Sequence, residues 1–171
     1  MRLPLKPSNF KIRRTAVKWI ILHHTIELYE IPSAKIDTQK YQLPAIFKGV
    51  LEQKTEDINY HYIIEKVEDD YIPIVCRPLP FLCEWDDIDP NINKRAVHVA
   101  FLGDYNLKIP TKRLMEVTCY RLINPLLRIF HLNPNKIKLH RDVSSNKNLT
   151  CPGDFFDMAS LESLIRRFVI K

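Results

Sequence analysis

Residues 17–25, Val-Lys-Trp-Ile-Ile-Leu-His-His-Thr, contain a dense apolar run, interrupted only by Lys18, that ends in two histidines and a threonine. Such a run is typical of a strand inside a sheet that is covered on both faces. A buried strand that stops in two histidines brings imidazoles to one edge of the sheet, where sites on sheet scaffolds commonly lie. The pair also fits a simpler interpretation, in which one histidine is a hydrogen-bonded core residue.

The apolar patterns on either side of this run predict a mixture of strands and helices. Alternation predicts further strands at 57–64, 71–76, 95–102 and 137–139. Helical spacing predicts helices from about Pro44, from about Thr111 with a break at Pro125, and over 161–169. The order predicts an α/β or α+β fold, in which a central mixed β-sheet is flanked by helices.

Two other segments are predicted to lack regular structure. Residues 1–16 are basic and proline-rich, which indicates an N-terminal arm on the surface, so residues 17–171 are expected to form the domain itself. A chain of 171 residues fits a single domain of this kind. Residues 77–94 contain three prolines and an acidic cluster, and they predict a long loop. Long loops in compact domains are often binding loops.

Charge and composition narrow the range of partners. The formal net charge of +6 favours approach to polyanions, but Lys and Arg are scattered and no nucleic-acid motif occurs, so we expect no specific nucleic-acid partner. No apolar stretch has the length of a signal peptide or a membrane span, which predicts cytoplasmic synthesis. The four cysteines form no CxxC pair and are expected to be reduced thiols.

A second stretch, residues 137–153, offers two soft metal ligands. His140 follows a predicted strand, and Cys151 precedes Pro152 and Gly153, which hold the local backbone in a turn. Together with His23, they fall at strand ends or just after one, so one edge of the sheet could gather them. Two imidazoles and one thiolate leave a fourth position open, which is the arrangement of catalytic zinc sites.

Several motifs occur in an order that resembles the type 2 N-acetylmuramoyl-L-alanine amidases, a family that includes phage lysozyme-type amidases and peptidoglycan recognition proteins. The motifs are WIILHHT, DINYHYII, AVHVAFLGDYN and KLHRDV with TCPG, and the resemblance covers about residues 17–168. It implies hydrolysis of the amide between N-acetylmuramic acid and the L-alanine of the stem peptide in bacterial peptidoglycan. It also implies that residues 17–171 are an amidase-like catalytic domain.

The resemblance assigns roles to particular residues. It implies one zinc ion, Zn²⁺, bound by His23, His140 and Cys151. Tyr60 matches a family tyrosine that hydrogen-bonds the attacked carbonyl or the zinc-bound water, and we expect Lys147 to be the nearest catalytic helper. The residues expected to bind substrate or line the pocket are His24, His61, His98, Asn59 and Thr150.

The chain also departs from the family pattern. Catalytic members often carry lysine or threonine two residues before the cysteine, where this chain has Leu149, and His98 stands where a small residue is usual. A Gly-Ala-His stretch common in the family is absent from residues 77–94. These differences leave open a catalytically impaired peptidoglycan-binding or structural module that retains zinc. Non-catalytic relatives commonly lose the cysteine ligand, whereas this chain keeps Cys151.

The leading hypothesis is a zinc amidase that cleaves bacterial cell wall as a phage endolysin or a virion-associated lytic enzyme. In that case the protein is made in the cytoplasm without a signal peptide. It then acts at the cell wall after release or as part of a virion, with other virion proteins as partners.

Overall fold

The computed structural model describes residues 10–25, 58–67 and 69–169. The helix predicted from about Pro44 and most of the N-terminal arm lie outside these residues. The strands are β1 (Trp19–His24), β2 (Tyr62–Val67), β3 (Asp70–Val75), β4 (Ala96–Phe101) and β5 (Ile137–Leu139). The helices are α1 (Pro90–Asn93), α2 (Lys112–Thr118), a π-helical segment (Cys119–Ile123), α3 (Asn124–Ile129), a 3₁₀ turn (Pro134–Lys136), α4 (His140–Val143) and α5 (Met158–Val169).

The described strands form one mixed sheet with the order β3-β2-β4-β1-β5. Strand β1 lies between β4 and β5 and runs parallel to both, β2 is parallel to β4, and β2 and β3 form an antiparallel hairpin. The predicted fold class, the interior position of β1 and the hairpin are therefore confirmed. Because β1, β4 and β5 are parallel, their carboxyl ends meet at one edge of the sheet.

The two faces of β1 have different neighbours, because successive side chains of a strand alternate in direction. One face packs against the helices and forms the main hydrophobic core, whose members include Ile20, Leu22, Val97, Val99, Phe101, Leu114, Leu126 and Leu161. On the opposite face, Ile21 and Ala96 pack against Ile88 and Trp85 of the 77–94 loop. The register pairs Ile21 with His98 and His23 with Ala100, so both histidines lie on this loop-covered face.

The helical region after β4 contains the predicted break. The π-helical segment precedes α3, and the backbone N–H of Asn124 donates to Cys119 O just before Pro125. A single π-helical turn is a common way to absorb an irregularity in the hydrogen-bond ladder of a helix. None of the described helices is long and apolar enough to cross a membrane.

Three details of the predicted elements need correction. Strand β2 begins only at Tyr62, so Asn59, Tyr60 and His61 precede it. The 77–94 loop contains the short helix α1, which starts at an Asp89–Pro90 pair because the Asp89 carboxylate accepts from Asn91 N–H. The arm does not simply lie on the surface, because Arg13 reaches inward and donates to Leu79 O, Lys94 O and Ala96 O.

Candidate metal centre

The structure brings together His23, His140 and Cys151 at the carboxyl edge of β1 and β5. One ligand atom from each lies within 4.8 Å of the others, and all three side chains are buried. The Sγ of Cys151 is 4.0 Å from Nδ1 of His23. Bond lengths of about 2.0–2.3 Å place two ligands of one tetrahedral zinc about 3.3–3.6 Å apart. A small inward movement of the side chains would therefore fit this donor set to zinc.

His140 is oriented by the carboxylate of Asp87, which the sequence analysis did not identify. The Nε2 of His140 lies 3.1 Å from Asp87 Oδ1 and 3.0 Å from Oδ2, so the ring donates Nε2–H and keeps Nδ1 for a metal. Asp87 is held in turn by Ser144 Oγ–H at 2.6 Å and by Ser145 N–H, which donates to its carbonyl at 2.7 Å. This carboxylate–histidine pair is the usual outer support of a zinc-binding imidazole.

Both ligand histidines are in the uncharged form that a metal requires. Burial lowers the pKa of His23 well below 6.5, and the neighbouring histidines lower it further. Burial also lowers the pKa of His140, although Asp87 opposes this shift. Each ring therefore has a lone pair for a cation at neutral pH.

Cys151 is fixed by the loop that precedes α5. Its carbonyl accepts from Arg141 N–H at 2.9 Å, and its Sγ lies 3.4 Å from the backbone nitrogen of His24. The Arg141 guanidinium also binds the carbonyls of Thr150 and Gly153, and the Cys151–Pro152 peptide is cis. Burial raises the pKa of the Cys151 thiol to about 12. Metal binding would therefore release its proton.

Two aromatic side chains lie beside the cluster. Trp85 stacks on His23 with ring centroids 4.7 Å apart and contacts His140 edge-on at 5.1 Å. Tyr60 lies 5.4 Å from His23 and 5.3 Å from Trp85 between ring centroids. The structure therefore places Tyr60 next to the cluster, and its predicted catalytic role stays a prediction. The sequence did not identify Trp85 as a neighbour of the cluster. The one indication was that Trp85 lies in the 77–94 loop, which was predicted to be a binding loop.

The three predicted pocket histidines have different surroundings. His24 points to the opposite face of β1 from His23, where its Nδ1 accepts from Tyr105 N–H at 3.2 Å. His61 and His98 lie on the site's face but are fully buried. Because both side chains are fully buried, a role in binding substrate stays a prediction.

The remaining predicted residues have different surroundings. Asn59 joins the segment before β2 to the 77–94 loop, because its side chain accepts from Glu84 N–H at 3.0 Å and donates to Glu84 O. Lys147 is exposed, and Thr150 is half-buried in the loop before Cys151. Leu149 is also half-buried, and its side chain has no group that could hydrogen-bond a substrate.

The protein thus has a mixed sheet with two histidines and one cysteine at its carboxyl edge. These three side chains form a candidate zinc centre of the catalytic class, in which three protein ligands leave a fourth position open. The family model described as N-acetylmuramoyl-L-alanine amidase matches residues 13–154, so the chain belongs to this family.

Solved structures agree with this assignment at the level of the fold. The endolysin amidase LysCS from Clostridium intestinale URNW has a TM-score of 0.62 at 20% identity, covering 92% of each chain. A point mutant of Drosophila PGRP-LB in complex with tracheal cytotoxin has a TM-score of 0.61 at 20% identity, covering 95% of this chain and 88% of that one. AmpD has a TM-score of 0.67 at 15% identity, covering 96% and 93%. No curated protein sequence matches the chain.

Proposed function

We propose that this protein is a zinc-dependent amidase that hydrolyses the amide between N-acetylmuramic acid and L-alanine in bacterial peptidoglycan. The observation that carries the proposal is the buried cluster of His23, His140 and Cys151 in a chain of the amidase family. Zinc supplies Lewis-acid activation of water and of the scissile carbonyl when it is bound in such a site. The protein's own contribution is to hold the ligands, orient them and shape the surrounding pocket.

The surrounding side chains support distinct parts of this task. Asp87 accepts the Nε2–H of His140 and so leaves Nδ1 of that ring available to a metal. Trp85 covers one side of His23 and keeps that part of the site apolar. In this proposal, Tyr60 donates its hydroxyl hydrogen to the oxygen that gains negative charge as the amide is attacked. A donor placed in this way stabilises the transition state more than the ground state.

We also propose a biological setting. The chain resembles phage lysozyme-type amidases, and the solved structures similar to it include amidases described as endolysins. We infer that it acts on the cell wall as a phage endolysin or a virion-associated enzyme, with other virion proteins as partners in the second case. Residues 17–171 would form the catalytic domain, and residues 1–16 an arm that Arg13 anchors to the 77–94 loop.

A second candidate function is a peptidoglycan-binding module that keeps zinc but has lost turnover. Leu149 favours it, because it stands two residues before Cys151, where catalytic relatives carry a hydrogen-bonding helper. Lys147 is exposed in the same loop and is the nearest lysine that could take over this role. The two candidates make different predictions for the same experiment, since both bind peptidoglycan but only one cleaves it.

The decisive experiment treats purified sacculi with the protein and follows both metal content and products. We expect about one bound zinc per chain and release of stem peptides with free L-alanine amino termini, detected by mass spectrometry. A chelator should stop the release, and added zinc should restore it. If the zinc-loaded protein sediments with sacculi but releases no peptide, the binding-module proposal replaces the amidase.

Replacing Tyr60 with phenylalanine should lower turnover without loss of zinc. Removing one hydrogen-bond donor to the developing oxyanion typically costs about 10²–10³-fold in turnover. Peptide release and zinc content are measured on the same preparation. The control is Tyr62→Phe, because Tyr62 packs against the helix-covered core and not against the cluster. Equal turnover for Tyr60→Phe and the parent would remove Tyr60 from the catalytic proposal.

Replacing Asp87 with asparagine should weaken zinc binding by about 10–100-fold, the usual cost of losing an outer partner of a metal-binding histidine. The measurement is competition with a chromophoric zinc chelator. Asp89→Asn is a matched control in the same loop, because Asp89 caps α1 and asparagine caps a helix equally well. Unchanged zinc affinity in Asp87→Asn would show that the negative charge of Asp87 contributes nothing to zinc binding by His140.

A further inference from the structure

The imidazole of His98 lies directly behind the ligand His23. The Nδ1 of His98 is 2.9 Å from Nε2 of His23, and both side chains are fully buried. His98 is on β4, and no step of the proposed reaction uses it.

The contact determines which nitrogen of His23 faces the metal site. The Nδ1 of His23 faces Cys151, whereas its Nε2 faces His98. A neutral imidazole carries its proton on one nitrogen only, so a metal bond at Nδ1 requires the proton at Nε2. Nδ1 of His98 can accept that proton in a hydrogen bond. His23 then has the same kind of outer partner that Asp87 provides for His140.

We propose that His98 is a positioning residue of the metal centre, which holds His23 in the tautomer and ring orientation that present Nδ1 to zinc. The inference rests on the zinc site proposed above. A histidine suits this place because it provides an acceptor without bringing a negative charge into a fully buried position, which would be costly. Ala96 and Ala100, the neighbours of His98 on the same face of β4, leave room for its ring.

His98 is itself held rigidly by His61. The backbone N–H of His98 donates to Nδ1 of His61 at 3.0 Å, and the backbone N–H of His61 donates to His98 O at 3.0 Å. The pairing of β2 with β4 starts only at Tyr62 and Val99, so the His61 ring provides the acceptor that a neighbouring strand would otherwise supply. The two imidazoles also stack with nearly parallel planes, 12° apart.

The support continues from His61 to the arm and the loop. The Nε2 of His61 lies 3.0 Å from Phe81 O and 2.9 Å from Nη2 of Arg13, and Cys83 Sγ lies 3.2 Å from its Nδ1. The same Arg13 nitrogen donates to Ala96 O at 2.8 Å, which ties the arm to β4 two residues before His98. A series of contacts from the arm through His61 and His98 therefore ends at the ligand His23.

An isosteric pair of variants tests the proposal. Asparagine has an oxygen near the position of Nδ1, and leucine has the same branched shape without an acceptor. We expect His98→Asn to keep the zinc affinity of the parent within about threefold, and His98→Leu to bind zinc about 10–100-fold more weakly. Competition with a chromophoric chelator measures the affinity. The visible spectrum of the cobalt-substituted protein should be unchanged in His98→Asn and altered in His98→Leu.

A third variant separates positioning from packing. His98→Gln is polar, but its acceptor lies beyond the Nδ1 position, so it should behave like His98→Leu in zinc affinity and cobalt spectrum. It also keeps the test decisive if His98→Leu fails to fold. Urea unfolding of the metal-free variants measures the loss of folding free energy that is due to packing alone.

Three results would overturn the inference. In the first, the zinc affinities of the variants rank in the order of their metal-free stability and not by whether the side chain has an acceptor, which would give His98 a structural role only. Equal zinc affinity in the asparagine, glutamine and leucine variants would also show that His98 does not position His23. In that case the parent would still bind zinc, so the proposed function would not be affected. If the parent itself binds no zinc, the proposed function fails, and the inference fails with it.

Discussion

If the proposed zinc amidase is correct, replacing Cys151 with serine is expected to remove tight zinc binding and turnover together. Serine is a poor ligand for zinc compared with a thiolate, and only two imidazoles would remain. Since loss of an outer partner alone costs about 10–100-fold in affinity, loss of a direct ligand should cost more than about 100-fold. Without the metal's activation of water and carbonyl, turnover should fall by more than about a thousandfold.

The readouts for Cys151→Ser are zinc content, peptide release from sacculi and thermal stability with and without zinc. Ligand binding stabilises a folded protein by an amount that grows with the logarithm of the free ligand concentration divided by its dissociation constant, and this amount is about 4 kcal/mol when that ratio is 1,000. The parent should therefore melt at a higher temperature with zinc than with chelator, and Cys151→Ser should not.

Cys119→Ser is the matched control for this experiment. Cys119 is a buried thiol in the π-helical segment within the helix-covered core, on the other side of the sheet from His23. Its replacement is expected to lower stability but to keep the rise in melting temperature with zinc. A Cys151→Ser protein that still gained stability from zinc and still cleaved sacculi would exclude the proposed centre.

Replacing Gly153 with alanine should destabilise the protein by about 3 kcal/mol or more, as backbone strain and steric overlap add. Gly153 has φ of +114°, which L-residues rarely adopt, and a Cβ there would overlap the carbonyl carbon of Tyr105 and lie 2.5 Å from its oxygen. The backbone of Tyr105 cannot retreat easily, because its carbonyl accepts from Phe155 N–H at 2.9 Å. For a chain of this size, the melting temperature should fall by roughly 6–12 °C.

Gly103→Ala separates the two causes of this loss. Gly103 also has a positive φ, +128°, but its nearest neighbours are the Cε and Nζ atoms of Lys108 at 3.3 Å, which belong to a flexible side chain. This variant should lose about 1–3 kcal/mol from backbone strain alone. Chemical denaturation measures both variants, and equal losses would show that the close approach to Tyr105 contributes nothing.

The sheet could be predicted from the sequence because its strands have strong apolar patterns. The run before His23 is apolar at almost every position, as expected for a strand with neighbours on both sides and cover on both faces. The three clustered side chains could be proposed for a related reason, since His23 lies at the end of a strand, His140 follows one, and Cys151 lies in the loop after it. The family resemblance then selected which histidine and cysteine residues to combine.

The supporting residues could not be predicted in the same way. Asp87 and Trp85 lie in the 77–94 loop, whose path depends on tertiary contacts such as the pairing of Ile88 with Ser144 and not on a periodic pattern. The position of His24, in contrast, follows from a simple rule. Adjacent residues of a strand point to opposite faces, so His23 and His24 could not both line one pocket.

The strand order has a consequence for how the protein is made. Strand β1 ends at His24, yet its two neighbours in the described sheet, β4 and β5, begin at Ala96 and Ile137. During synthesis, the ribosome must therefore translate Ala96–Phe101 before β1 can pair with β4. Cys151 emerges later still, so the three ligands can meet only when nearly the whole domain is available. Zinc binding at this site would therefore occur only in the folded domain, and a nascent or truncated chain without Cys151 would not bind zinc there.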